Sequence, residues 1–342
     1  MERYLVADNI CAWPNLTLLA DGTIVAVVFN QPSHGLVEGD TECWASEDGG
    51  HFWHRRGQVT RHEPGTVRMN VAAGLTGEGD LVVLCSGHGG PGFRGFVTGI
   101  WVCRSSDAGR TWRLDGRAEI PADLGACIPF GDMFPLEGRL AATVYTSHQP
   151  YAAQREFGSW LIFSADDGRT WGHPEAIAAG FNEPTGLHTG DGRVLVVARS
   201  WRDLAAGSKN GSFGGRAVEE RLELFERSHG AADFSPLGPV TWPGHINGHL
   251  LSLRDGTILL SHGLRTPTYY GMGARLSEDG GYTWGAPILL ARYDGATDGG
   301  YPSSVQAEDG AIVTAYYANR SAEHHRYHMG VVRWRPEEFT GG

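Results

Sequence analysis

With 342 residues the chain has room for one large domain or two ordinary ones, and its 41% hydrophobic residues suffice for a sizeable core. A formal net charge of -11 argues against a nucleic-acid partner, which needs a basic patch, but is compatible with a local cationic pocket. The 50 glycines, 17 prolines and 11 tryptophans exclude an aromatic-poor disordered chain and describe many short strands joined by tight turns.

Met1-Glu2-Arg3-Tyr4 runs directly into strand-like sequence, with no charged-then-apolar leader and no apolar run near the ~18 residues of a membrane span, so no membrane partner is expected. Cys11, Cys43, Cys85, Cys103 and Cys127 are odd in number and form no close-spaced framework. They read as buried free thiols in a reducing, cytoplasmic compartment. No Cys/His spacing fits a zinc site, and neither metal nor cofactor is expected.

Along the chain two patterns alternate. The first is an apolar strand, an acidic-Gly turn and a second apolar strand. Its turns are Asp21-Gly22, Glu78-Gly79, Glu137-Gly138, Asp191-Gly192, Asp255-Gly256 and Asp309-Gly310, with glycines 57, 59, 54, 64 and 54 residues apart. Such a pair between apolar runs signals a hairpin, because Gly accepts positive φ. The second pattern is Ser-x-Asp-x-Gly-x-x-Trp, at Ser46 to Trp53, Ser105 to Trp112, Ser164 to Trp171 and Ser277 to Trp284. The first three copies are 59 residues apart and the last gap is 113, close to two periods, so a decayed copy is expected around Ser228 to Phe234.

Each acidic-Gly hairpin with the strands around the following turn makes one four-stranded unit. No unit buries both faces alone, so the units must stack, and radial closure leaves only protected edges. The expectation is a single all-β domain over 1–342, a six-bladed β-propeller of four-stranded antiparallel blades. The last unit lacks sequence for a fourth strand, which Tyr4-Leu5-Val6-Ala7 is expected to supply, closing the ring. The Asp and Trp of the second pattern read as structural, the Asp bonding backbone N–H groups and the Trp packing between blades.

In a blade with strands A to D, the short A–B and C–D turns share one end. The A-strand starts and the longer B–C connections collect at the other, where function is expected. The A-strand starts offer Trp13 and Asn15; Arg68 and Asn70; Asp132; Asn182 and Glu183; His245, Asn247 and His249; and Tyr301. The B–C loops add His34, Glu38 and Asp40; His88 and Arg94; His148 and Tyr151; Arg199 and Arg202; and Arg265, Tyr269 and Tyr270. Ser200 to Glu220 is the longest stretch without a regular pattern, expected to be a lid or a subunit contact in a homo-oligomer.

These repeats and residues resemble the sialidase superfamily, whose Asp-box is the Ser-x-Asp-x-Gly-x-x-Trp turn, over nearly the full length. The resemblance implies that Tyr301, in Gly300-Tyr301-Pro302 before the sixth hairpin, is a nucleophile polarised by Glu183. It implies that Arg199 and Arg265 bind a substrate carboxylate. In blade one the family's Arg-Ile-Pro is replaced by Ala12-Trp13-Pro14, so its clamping Arg is absent, with Arg68 the candidate substitute. The family's acid/base Asp has only Asp40, or Glu38, in range.

The leading expectation is an exo-acting glycoside hydrolase for a terminal acidic sugar. Tyr301, Glu183 and Asp40 would be catalytic, and Arg199, Arg265, Arg68, His249, His88, Trp13 and Asn182 would contact substrate. A carboxylate beside a phenol activates a poor nucleophile, and guanidinium matches a carboxylate in bidentate fashion. One alternative is a polysaccharide lyase beside a uronic acid, with base from Tyr or from His34, His88, His148, His245 or His249. The other is a non-catalytic sugar-binding propeller stacking on Trp13, Trp201 and Tyr269.

Overall fold

A computed structural model describes residues 1–147, 157–203, 212–213, 216–266, 269–293, 298–322 and 324–340. Each acidic-Gly pair sits in the tight turn of a hairpin. The turn glycines have φ between 75° and 89°, the left-handed region that a side chain disfavours. The hairpins pair Asn15–Leu18 with Ile24–Phe29, Thr66–Leu75 with Leu81–Gly89, and Ala126–Leu136 with Arg139–Ser147. The later three pair Phe181–His188 with Val194–Asp203, His245–Ser252 with Ile258–Thr266, and Gly299–Gln306 with Ile312–Ala318.

Each hairpin gains a third and a fourth antiparallel strand. The third strands are Thr41–Ser46, Trp101–Ser105, Gly158–Ser164, Arg216–Arg227, Tyr269–Ser277 and His328–Trp334. The fourth are His54–Gln58, Arg113–Arg117, Gly172–Ala179, Ser235–Pro239 and Ile288–Tyr293, and for the last group Glu2–Asp8. As expected, the N-terminal segment completes the final sheet, with Glu2 opposite Arg333 and Asp8 opposite His328. A short parallel pairing of Gly131 and Asp132 with Ala72 and Ala73 joins the second and third groups into one curled sheet.

Burial follows strand position. Ile24–Phe29, Leu81–Gly89 and Ile312–Ala318 are buried along their whole length, as second strands covered on both faces must be. The fourth strands Arg113–Arg117 and Ser235–Pro239 are almost wholly exposed edges, the first of them strongly charged. Apolar clusters lie between successive groups. Val25 and Val27 meet Val83 and Trp101, Val82 and Leu84 meet Val144 and Trp171, and Leu16 and Ile24 meet Val313 and Val331 of the last group. Among the described residues no helix is long and apolar enough to cross a membrane.

The four Ser-x-Asp-x-Gly-x-x-Trp segments are closed turns. In the third, Ser164 Oγ donates to Asp166 Oδ1 at 2.8 Å and accepts from Gly168 N at 2.8 Å, while Trp171 Nε1 donates to the Gly168 carbonyl at 3.0 Å. Partial burial works against ionisation, but donors from the Thr170 backbone and hydroxyl and from Ser164 hold the Asp166 carboxyl at about 2. These side chains are engaged in their own turn. The stretch from Ser228 to Phe234, where a decayed copy is expected, is the connection between Arg216–Arg227 and Ser235–Pro239.

The segment 200–220 differs from expectation where it is described. Ser200, Trp201, Arg202 and Asp203 pair with Arg221, Glu220, Glu219 and Val218, extending the hairpin outward. The ladder bonds satisfy backbone groups that an irregular loop would leave to solvent. Residues 204–211 and 214–215, and with them the expected lid or subunit contact, lie outside the described residues, as do His148 and Tyr151.

Candidate active site

The inner strands begin with a shared irregularity. Their pairing slips between Arg68 and Asn70, Phe130 and Met133, Asn182 and Thr185, Ile246 and Gly248, and Gly300 and Ser303. Bulges of this kind re-aim side chains. At these slips Gly131, Glu183, Asn247 and Tyr301 take positive φ, at 85°, 47°, 60° and 50°, and Trp13, just before the regularly paired Asn15–Leu18, does so at 41°. For bulky residues that conformation costs on the order of 1–3 kcal/mol. Glu183 and Tyr301 each precede a proline, which has no N–H for a regular ladder and so breaks the pairing there.

The bulges bring Tyr301 and Glu183, 118 positions apart, into direct contact. Tyr301 Oη donates to Glu183 Oε1 at 2.5 Å. The other carboxylate oxygen accepts from Arg199 Nη1 at 2.8 Å and from Asn247 Nδ2 at 2.5 Å. Burial raises the Glu183 pKa, but the Arg199 charge and the bonds from Tyr301 and Arg199 outweigh it and hold the carboxyl below its ordinary value. Burial and then the Glu183 charge push the Tyr301 phenol well above its ordinary value, against Arg199 and Arg265. The resting pair is thus a neutral phenol hydrogen-bonded to a carboxylate.

The remaining predicted residues fall into three groups. Arg265 stays beside the pair, its guanidinium 5.6 Å from the Tyr301 ring centroid and donating to the Gly299 carbonyl at 2.9 Å. Trp13 stands edge-on to Tyr301 at 6.1 Å, and both line a cleft with Asn15, Met69, Phe130 and His249. Asn182 lies one step back, accepting the Trp201 indole N–H at 2.8 Å. Trp201 is stacked on Phe157 and lies under the Arg199 guanidinium.

A second group is buried in other partnerships. Arg199 also donates from Nη2 to Glu220 Oε1 at 2.5 Å, so both its terminal nitrogens hold carboxylates. Arg68, 2% exposed, bonds both oxygens of Glu63 and the Gly99 carbonyl and lies 3.7 Å from the Trp101 ring centroid. His88 is buried, and desolvation, then the Arg94 charge, pushes it down to about 3, leaving a neutral ring. His249 bonds Asp132 at 2.9 Å, and Asn15 holds the same carboxylate at 2.9 Å.

Asp40 stands apart. Its carboxylate accepts from Thr60 Oγ1, His62 N and His62 Nδ1 at 2.9, 2.6 and 2.8 Å. Another carboxylate stands near Tyr301. Asp298 accepts from His34 Nδ1 at 3.0 Å and Tyr317 Oη at 2.5 Å, and also from Tyr327 Oη. The Tyr317 ring lies 5.8 Å from that of Tyr301. Burial opposes ionisation of Asp298, but the His34 bond and charge and the tyrosine hydroxyls hold it far below the ordinary range. The sequence reading missed Glu220, Asp298, Tyr317 and Tyr327. The only signal for Asp298 was its place two residues before Gly300-Tyr301.

This site lies on a chain whose residues 22–314 match the BNR repeat-like domain, and the protein belongs to that family. The fold is also that of a Dyadobacter fermentans protein of unknown function, with 20% identity, 98% coverage of both chains and a TM-score of 0.76. A Hadza microbial sialidase is 17% identical over 97% of this chain and 66% of its own, with a TM-score of 0.70. A Penicillium chrysogenum α-L-arabinanase, solved with arabinobiose, is 15% identical over 97% of this chain and 98% of its own, at 0.67. No curated protein sequence matches the chain.

Proposed function

We propose that the protein is an exo-acting glycoside hydrolase built as a closed six-bladed propeller, with Tyr301 as nucleophile and Glu183 as its base. The observation that carries this reading is the 2.5 Å bond from the Tyr301 hydroxyl to a carboxylate whose other oxygen is fixed by Arg199 and Asn247. As the phenol attacks an anomeric carbon, its proton passes to Glu183, and no full negative charge has to approach the substrate beforehand. A terminal acidic sugar suits such a nucleophile, since a carboxylate nucleophile would repel it. Arg265 would meet its carboxylate. A terminal neutral sugar is the second reading, favoured by the pairing of Arg199 with Glu183 and Glu220 and of Arg68 with Glu63.

The test is a panel of aryl glycosides of N-acetylneuraminic acid, glucuronic acid and α-L-arabinofuranose, alongside uronate polysaccharides. Phenol release abolished by Tyr301→Phe supports the hydrolase, and the sugar released decides between acidic and neutral. Ultraviolet-absorbing unsaturated ends would identify elimination instead. A fluorinated, activated form of the accepted sugar is expected to leave a covalent adduct on Tyr301, read by peptide mass spectrometry.

A further inference from the structure

We propose that His34, oriented by Asp298, is the group that exchanges a proton with the leaving oxygen. This rests on the hydrolase reading above. His34 lies on the connection between Ile24–Phe29 and Thr41–Ser46, a B–C loop at the same end as Tyr301. Its Nδ1 meets Asp298 Oδ1 at 3.0 Å, and because that carboxylate is a pure acceptor, the bond places a proton on Nδ1 and leaves Nε2 for another partner. The His34 side chain is 43% exposed, whereas Asp298 beneath it is 18% exposed. The ring stands edge-on to Trp13 at 4.7 Å, and Trp13 stands edge-on to Tyr301 at 6.1 Å, so one indole separates the imidazole from the phenol.

The surroundings fix this pair from several sides. Tyr317 and Tyr327 hold Asp298, and Arg94 from the next loop donates to the His34 and Gly35 carbonyls at 2.7 and 3.1 Å. Cys11 lies within ligand distance of both, but burial keeps its thiol protonated, so the cluster acts as an imidazole–carboxylate pair. Asp40, the other carboxylate in reach of a B–C loop role, is closed off by Thr60 and His62.

The steps balance as follows. The Tyr301 oxygen bonds the anomeric carbon as the glycosidic C–O bond breaks. The phenolic proton goes to Glu183, and the Nε2 proton of the His34 imidazolium goes to the departing oxygen. Water then bonds the anomeric carbon and yields its proton to His34 Nε2. The Tyr301 C–O bond breaks, and Glu183 returns the proton to the phenolate.

The experiment compares His34→Ala, Asp298→Asn and wild type on 4-nitrophenyl and methyl glycosides of whichever panel sugar wild type accepts. An aryl leaving group of low pKa departs without a proton, and an alkoxide does not. His34→Ala is expected to lose about 10-fold on the nitrophenyl substrate and about 10²–10⁴-fold on the methyl glycoside. Azide is expected to restore the nitrophenyl rate of His34→Ala and yield a glycosyl azide. Asp298→Asn, a positioning change, is expected to lower kcat with the same leaving-group bias and little change in KM. A His34→Ala loss equal on both substrates, without azide products, in a variant that melts like wild type, would overturn the assignment and leave Tyr301 and Glu183 standing. Wild type inert on every glycoside would instead remove the hydrolase reading, and this inference with it.

Discussion

At Tyr301 the proton rests on the weaker acid of a bonded pair, so in the proposed mechanism Glu183 would receive it as attack proceeds. Replacing Glu183 by Gln keeps the shape and removes the acceptor, and the rate is expected to fall about 10²–10⁴-fold in steady-state assays. The same change has a signature in stability. Glu183 has a folded pKa below its unfolded value, so it contributes stability that is present above ~4.3 and lost as pH falls through the folded value. Urea melts of Glu183→Gln should therefore show lower stability than wild type at neutral pH and a smaller further loss on acidification. The pair itself was legible through the resemblance, which places a Tyr before the sixth hairpin and a Glu before the fourth, at Tyr301 and Glu183. The roles of Asp40 and Arg68 were not legible. Their partners Thr60, His62 and Glu63 are set by the folding of one loop, and spacing along the chain carries no record of it.

Among the elements, the acidic-Gly hairpins and the Trp-bearing turns were both readable, since each is a local solution to a local backbone requirement. Asp166→Ala removes the acceptor for the Arg169 and Thr170 amides and the Ser164 hydroxyl. It is expected to cost about 1–3 kcal/mol by thermal or urea melts while leaving kcat unchanged. The bulges are different, because they strain the chain in order to aim a side chain. Gly300 has φ 102°, and a Cβ there would come within 3.3 Å of the Gly263 backbone. Gly300→Ala is expected to displace Tyr301 and reduce kcat by about 10²-fold, as misplacement near 1 Å does, with a smaller effect on melting. The bulges were not foreseen, although Glu183-Pro184 and Tyr301-Pro302 announced them. Pro184 and Pro302 sit inside Phe181–His188 and Gly299–Gln306, and Pro14 lies just before Asn15–Leu18.

For the molecule as a whole, acid sensitivity is written into buried imidazoles. Desolvation, then nearby positive charge from Arg94 on His88 and from His245 on His262, pushes both rings down to about 3. Their folded values lie below the unfolded ~6.5, so the unfolded chain takes up these protons first, and stability falls as pH drops through that interval. Between about pH 6 and about pH 4 the two together are expected to lower stability by on the order of 3 kcal/mol per pH unit. Denaturant melts across that range check the slope, and His262→Gln should halve it.

The pairing of Glu2–Asp8 with His328–Trp334 means that this strand finds its partner only long after it has been made. During synthesis it waits through more than three hundred residues, and its docking is a clasp fastened only when the C-terminal hairpin emerges. Hydrogen exchange should find its amides opening ahead of those in Ile312–Ala318, which is covered on both sides. Deleting residues 1–8 would leave His328–Trp334 as a bare edge, inviting a strand from a neighbouring molecule, and light scattering at rising concentration would reveal it.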